Sequence, residues 1–217
     1  GGQDTYLEFM FDRLTLMRQL LKPTGSIYLH CDPTMSHYLK IVMDKVFGRG
    51  NFRNEVVWCY SNSGRSVDRF SEKHDTIFWY GKSKDAFFNK NYKIPYSEEY
   101  VRTHFTNKDA DGNICRIRVD AGKERTYYPN GMIPNDWWTD IPSLNSVAKE
   151  RVGYPTQKPL KLLERIIEAS SNEGDIILEP FLGAGTACVY AKQSGRNYIG
   201  MDLNVKAIEI TKERLGK

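Results

Sequence analysis

Apolar residues at helical spacing open the chain. Leu7, Met10, Leu14, Met17 and Leu21 fall on one face of residues 4–21, while Glu8, Asp12, Arg18 and Gln19 face away. That pattern predicts an amphipathic helix. Asp4 stands where a cap is needed, and Pro23 and Gly25 end the segment. Ser26-Ile-Tyr-Leu-His30 reads as a buried strand. Residues 36–47 predict a second helix, with Tyr38, Ile41, Val42 and Val46 as its apolar positions and Gly48 as its stop. Residues 54–58 and 75–80 read as two strands able to pair.

The patterning then changes. Over 81–150 the periodicity fades, and polar and aromatic residues mix with turn signals such as Asp111-Gly112 and Pro129-Asn130-Gly131. This stretch reads as an insertion with short strands. Regular alternation returns at Thr156. A helix is predicted from Pro159 through Leu163, Ile166 and Ile167, with proline suited to the first turn. Gly174 precedes a strand at 175–179; a helix from 185, a strand at 197–201 and a helix from 205 follow. Strand and helix alternate on both sides of the insertion. That argues for an α/β fold with a mostly parallel sheet covered by helices on both faces. The division expected is 1–80 as the first part of the core, 81–150 as the insertion and 151–217 as the second part of the core.

Composition narrows the class only a little. The chain has 217 residues, 40% hydrophobic and 27% charged, enough for one α/β core with a modest insertion. No apolar run approaches the roughly 20 residues of a membrane span. No secretory signal opens the chain, so a cytoplasmic protein without a membrane partner is expected. Cys31, Cys59, Cys115 and Cys188 are scattered, without metal-type pairing, and read as free thiols. No metal site is expected. The net charge of +4 is mild, and residues 61–150 carry 14 Lys and Arg against 13 Asp and Glu. Charge therefore allows nucleic-acid binding without demanding it.

The chemistry concentrates in one stretch, Asp175-Ile-Ile-Leu-Glu179-Pro-Phe181-Leu-Gly183-Ala-Gly185-Thr186. It reads as a strand breaking into a glycine turn and then a helix, the arrangement with which α/β proteins build nucleotide-type cofactor sites. Glycines at 183 and 185 would let the backbone approach a ligand. Asp202, after the next strand, suits a ribose diol. The dinucleotide fingerprint is broken, because Cys188 stands at its third small position. That argues against a nucleotide-dependent oxidoreductase.

Further residues carry a resemblance. Tyr154-Pro-Thr156-Gln157-Lys158-Pro159, then Glu179-Pro-Phe181-Leu-Gly183-Ala-Gly185-Thr186, then Tyr198-Ile-Gly-Met-Asp202 resemble the S-adenosylmethionine site of amino-methylating DNA methyltransferases. The likeness is to the β-ordered group, which includes modification subunits of type III restriction systems. It extends to 22–32, 52–58 and 137–142. The resemblance implies a Rossmann-like methyltransferase sheet and S-adenosyl-L-methionine as cofactor. It implies that Phe181, Gly183, Gly185 and Thr186 wrap the methionine part, that Thr156, Gln157 and Lys158 hold the carboxylate end, and that Asp202 takes the ribose. Glu179 stands where the family usually has aspartate.

The resemblance also implies double-stranded DNA as substrate, methylated on an exocyclic amine, adenine N6 in preference to cytosine N4. A restriction subunit or a second copy of the chain is the further partner it allows. The family's D/N/S-P-P-Y/F loop is absent from these residues, and no catalytic residue is assigned. In the β order that loop and its strand come first. The chain is therefore expected to be a C-terminal portion of such an enzyme, lacking the N-terminal strands and not competent alone. The competing reading is a non-catalytic pseudo-methyltransferase that binds DNA or cofactor. Over residues 61–150, which include the insertion as a candidate target-recognition region, Arg65, Arg69, Arg116, Arg118, Lys123 and Arg125 are candidates for phosphates or guanine edges. Tyr127, Tyr128, Trp137 and Trp138 are candidates for stacking or for packing the insertion.

Overall fold

A computed structural model describes residues 2–61, 64–145 and 147–216. They form two compact units, one of residues 2–89 and 136–216 and one of residues 90–135. The second unit lies inside the stretch read from sequence as the insertion.

The first unit begins with α1 (Gln3–Leu20), β1 (Ser26–Cys31) and α2 (Pro33–Phe47). Met10 and Leu14 bury the predicted face of α1, and full burial of such a side chain is worth about 2 kcal/mol. Asp4 does not cap this helix. Gly2 is the N-cap, without a side-chain bond, and Asp4 lies in the first turn. α2 starts three residues earlier than expected, because Asp32 caps it through Met35 N and Pro33 fits its first turn. Its buried face is Ser36, Leu39, Val42, Met43, Val46 and Phe47, while Tyr38 and Ile41 face outward.

β2 (Phe52–Cys59) and β3 (His74–Gly81) pair antiparallel, as their spacing allows. β3 also pairs antiparallel with β1, and a short β7 (Trp137–Trp138) adds parallel to β2. The sheet order is β1-β3-β2-β7. The expectation of a mostly parallel sheet is thus corrected. β3 returns antiparallel beside β2 and so separates β2 from β1. Phe78 and Tyr80 on one face pack on α1 and α2. Val56, Trp58 and Ile77 on the other pack on Trp138, Ile141 and Leu162. Helices therefore cover both faces.

The last part of this unit holds α4 (Leu160–Ser170), β8 (Ile176–Glu179), α5 (Thr186–Gln193), β9 (Asn197–Gly200) and α6 (Val205–Arg214). β8 and β9 pair parallel as a separate two-stranded sheet. Neither β1 nor β8 has a second strand neighbour among the described residues. Lys22 and Asp175, just ahead of β1 and β8, form an ion pair at 3.2 Å.

The unit of residues 90–135 holds α3 (Glu98–His104), β4 (Asn107–Lys108), β5 (Ile114–Asp120) and β6 (Lys123–Tyr127), in one antiparallel sheet of order β4-β5-β6. Tyr96 stacks on Tyr100 and packs on Phe105, and Phe105 and Cys115 are buried. No described helix is long and apolar enough to cross a membrane.

Candidate functional site

The glycine turn joins β8 to α5, and both of its glycines are required by geometry. Gly183 has φ +52° and Gly185 has φ +68°, in the left-handed region that side chains disfavour. A Cβ on Gly185 would lie 2.2 Å from Thr211 Oγ1 on α6, so this glycine permits close helix packing rather than ligand approach. A Cβ on Gly183 would meet the Tyr154 ring at 3.4 Å. Asp202 braces the turn from below: its carboxylate accepts from Gly183 N and from Asn204 N, each at 2.8 Å. A carboxylate has about four acceptor positions, so two remain.

Glu179 ends β8. Its carboxyl is largely enclosed and, among the described residues, accepts one long bond, from Phe181 N at 3.4 Å. Burial raises its pKa to about 7, with the nearby Asp202 charge adding to the rise. Phe181 is half exposed and leans on Phe9 of α1 at 6.4 Å between rings.

The 154–158 segment comes to the turn through one bond. Thr186 Oγ1, at the start of α5, donates to Lys158 O at 3.2 Å, and Arg214 donates to Thr186 Oγ1 at 3.1 Å. Gln157 is spent on its own loop, with Nε2 donating to Glu150 O at 2.6 Å and Oε1 accepting from Val152 N at 2.8 Å. The N-terminus of α4, whose positive end would attract a ligand carboxylate, already has an anion. Glu150 Oε2 accepts from Leu160 N at 3.0 Å. Thr156 is exposed.

Thr156, Gln157 and Lys158 line a cavity of about 1010 Å³ whose opposite wall includes Trp58, Tyr60 and Asp75. Phe181, Gly183 and Asp202 are not part of that wall. The predicted residues therefore fall in two neighbouring groups, linked by the Thr186–Lys158 bond. On the cavity wall is a cluster that the sequence did not reveal. Asp75 Oδ2 meets His30 Nε2 at 2.6 Å and Lys158 Nζ at 3.9 Å, and Asp75 Oδ1 accepts from the Tyr60 hydroxyl at 3.0 Å. Burial pushes the Asp75 carboxyl up, but the His30 and Tyr60 hydrogen bonds and the Lys158 charge together pull it below its ordinary value. Burial lowers both His30 and Lys158, with Asp75 opposing, and raises Tyr60 to about 12 with help from Asp75. A neutral His30 ring then donates its Nε2 proton to the carboxylate. At 3.9 Å the Lys158 ammonium is beyond hydrogen-bond range of Asp75, which among the described residues leaves its N–H groups for another acceptor.

The signal for this cluster was present but indirect. His30 lies one residue before the end of β1 and Asp75 one residue after the start of β3, so antiparallel pairing brings them together where a parallel reading keeps them apart. Behind the cavity, Trp138 is buried and Trp137 exposed. Arg165 on α4, itself buried, grips Asp140 with two nitrogens at 2.9 and 2.6 Å and lies over the Trp138 ring.

A profile of the DNA methylase family matches residues 1–213. The chain belongs to this family. Among its relatives is the type II methyltransferase M.HpaI of Haemophilus parainfluenzae, 31% identical over 97% of this chain and 59% of that protein. The DNA adenine methyltransferase YhdJ of Escherichia coli is 30% identical, over 98% of this chain and 68% of that protein. This DNA methylase chain thus spans 59% of M.HpaI, and 57% of the type II methyltransferase M.EcaI of Enterobacter cloacae. M.HpaI and M.EcaI carry type II names, and YhdJ is named a DNA adenine methyltransferase. The fold agrees with solved structures. An M1.HpyAVI–SAM complex superposes with TM-score 0.65 at 20% identity over 100% of this chain and 86% of that one. The PvuII cytosine-N4-specific DNA methyltransferase superposes with TM-score 0.67 at 15% identity over 98% and 71%. The Rossmann-like methyltransferase fold of this DNA methylase is thereby established.

Proposed function

We propose that this chain is the cofactor-binding and DNA-facing part of an S-adenosyl-L-methionine-dependent DNA methyltransferase that methylates an exocyclic base amine, adenine N6 in preference to cytosine N4. The observation that carries the reading is the bond from Thr186 to Lys158, which draws the 156–158 segment onto the glycine turn. The donor set fits the cofactor. The carboxyl of Glu179, with a single long bond, suits a sulfonium and an ammonium. The N–H groups left on Lys158 suit a carboxylate, and the two remaining acceptor positions of Asp202 suit a diol. When bound, the cofactor supplies an electrophilic methyl group. This chain's residues bind and orient it, and no protein nucleophile takes part. Adenine is favoured by the relative named an adenine methyltransferase.

The unpaired edges of β1 and β8 favour a further strand between them, and the greater length of the relatives leaves room for one. The reaction is then a property of the longer enzyme, and this chain alone is its binding half. Residues 81–150 are assigned to contact with double-stranded DNA. A companion restriction enzyme or a second copy of the chain belongs to the same reading.

The test is calorimetric titration of the chain with S-adenosylmethionine, beside a form extended upstream, followed by transfer of labelled methyl to unmethylated duplex and base analysis. Binding by either form and label on adenine N6 support the reading. Label on cytosine N4 overturns the base assignment. No binding by either form overturns the cofactor site.

A further inference from the structure

The β5–β6 hairpin carries a charge arrangement that folding alone disfavours. Its turn, Ala121-Gly122, has positive φ at both residues, 51° and 76°, which is the two-residue turn that matches the twist of the strands. Ala121 is the one non-glycine residue with positive φ among those described. The hairpin is therefore held in a tight register at some local strain. That register sets Arg118 directly opposite Arg125, Arg116 opposite Tyr127 and Asp120 opposite Lys123. Paired residues and their neighbours two positions on share a face. Arg116, Arg118, Arg125 and Lys123 thus stand together on one side of the ribbon. Like charges placed directly across a strand pair repel. The only carboxylate on this face, Asp120, is engaged by the Tyr127 hydroxyl at 2.8 Å. None of the four cations has an ion pair among the described residues, and all but the half-buried Arg116 are exposed. The turn residues are small, and nothing larger than the Ala121 methyl group stands at the tip.

We propose that this face of the β5–β6 ribbon is a groove-docking surface for double-stranded DNA, with Arg118 and Arg125 as its central contacts. A polyanion is the partner that turns their mutual repulsion into attraction. The major groove of B-form DNA is about 12 Å wide and admits a two-stranded β-ribbon, and arginine is matched both to phosphates and to the O6 and N7 of guanine. Lys123 beside the turn and Arg116 farther down extend the charge along the ribbon, where the flanking phosphates of a groove would run. This rests on the reading of the chain as a DNA methyltransferase and adds which residues meet the duplex.

The experiment is fluorescence anisotropy of a labelled 30-base-pair duplex with the full chain, from 50 to 300 mM NaCl. R118S/R125S removes two phosphate-class contacts. Its slope of log K against log salt should be less negative by about 2, and its affinity at low salt should fall roughly tenfold or more. K45S/R49S, exposed cations elsewhere, should leave slope and affinity near the parent's. The melting temperature of R118S/R125S should hold or rise, since a repulsion is removed. Should it fall instead, R118Q and R125Q singly take its place, each expected to change the slope by about 1. A parent slope and affinity in the folded variants overturns the proposal, as does absence of duplex binding by the parent. Equal competition by polyglutamate of matched charge overturns the assignment to DNA. Cofactor titration is independent of all these results, so this surface and the methyltransferase reading fail separately.

Discussion

Lys158 and His30 converge on one oxygen of Asp75, the ring nitrogen at 2.6 Å and the ammonium at 3.9 Å. The carboxylate is mostly shielded, so its partners depend on it. Asp75→Asn should cost about 1–3 kcal/mol at pH 7, measured by urea denaturation. The signs can be worked through. His30 titrates below its ordinary 6.5 in the fold, so its stabilising effect is full above that pH and falls as pH drops. The variant lacks the carboxylate that supports the charged ring, so the gap between parent and variant should widen below pH 6.5. Asp75 itself lies below its ordinary 3.8, so its contribution is present above that value and lost beneath it. The gap should close again below about pH 4. A gap that never changes with pH would contradict this account.

Glu179 behaves oppositely. Its folded pKa of about 7 stands above an ordinary 4.5, so its stabilising effect is full below 4.5 and lost as pH rises to about 7. Glu179→Gln should therefore be more stable than the parent at pH 8, by about 3 kcal/mol or less, and equal to it near pH 4. Thermal melts across that range measure this. A cationic ligand beside the carboxyl favours its ionised form. S-adenosylmethionine binding at pH 7 should then release a proton, seen as different calorimetric heats in two buffers, and Glu179→Gln should abolish the difference.

Gly185→Ala should be severely destabilising, by about 2–4 kcal/mol, because it combines a left-handed backbone with a collision against Thr211. Thr211 Oγ1 is buried and has no hydrogen-bond partner among the described residues, so Thr211→Ala alone should change stability by less than about 1 kcal/mol. In the double variant the contacts with Thr211 Oγ1 and Cγ2 are gone while that with its Cβ at 2.8 Å persists, so the collision is relieved only in part and the backbone cost of roughly 1 kcal/mol remains. A double-mutant cycle without coupling would count against this packing.

Arg165 and Asp140 should respond unequally to mutation. Asp140→Asn leaves a guanidinium buried without its main anion, whereas Arg165→Met frees a half-exposed carboxylate that water can serve. The first should cost about 2–3 kcal/mol and the second about 1–2, discounted for the exposure of the carboxylate. Arg165 holds the Asp140 carboxyl near about 2, so the parent's advantage over Asp140→Asn persists above 3.8 and fades as pH falls toward 2. Acid-unfolding curves of the three proteins test both statements.

What the residues disclosed depended on range. α1, α4 and the turn after β8 were legible because helical periodicity and glycine punctuation are local signals. The order β1-β3-β2 was not, because spacing does not say which strand slips between two others. The face of α2 was misjudged at Tyr38 and Ile41, since a wide apolar stripe allows more than one orientation. The Asp75 cluster is hidden because its four members come from four separate segments, each ordinary alone. Glu150 at the start of α4 was missed because it lies ten residues before the amide that it caps.

The joints of the 90–135 unit are fastened on the core side. Asn89 N donates to Ala169 O at 2.8 Å and its side chain to Glu168 O at 3.1 Å, while Asp136 O accepts from Val57 N at 2.8 Å. Both anchors belong to the core and keep their bonds whatever is spliced between them. Genetic exchange between these points would replace a cassette and leave every strand of the core in register. A lineage could then exchange this unit in one recombination step while inheriting the glycine turn and the Asp75 cluster intact.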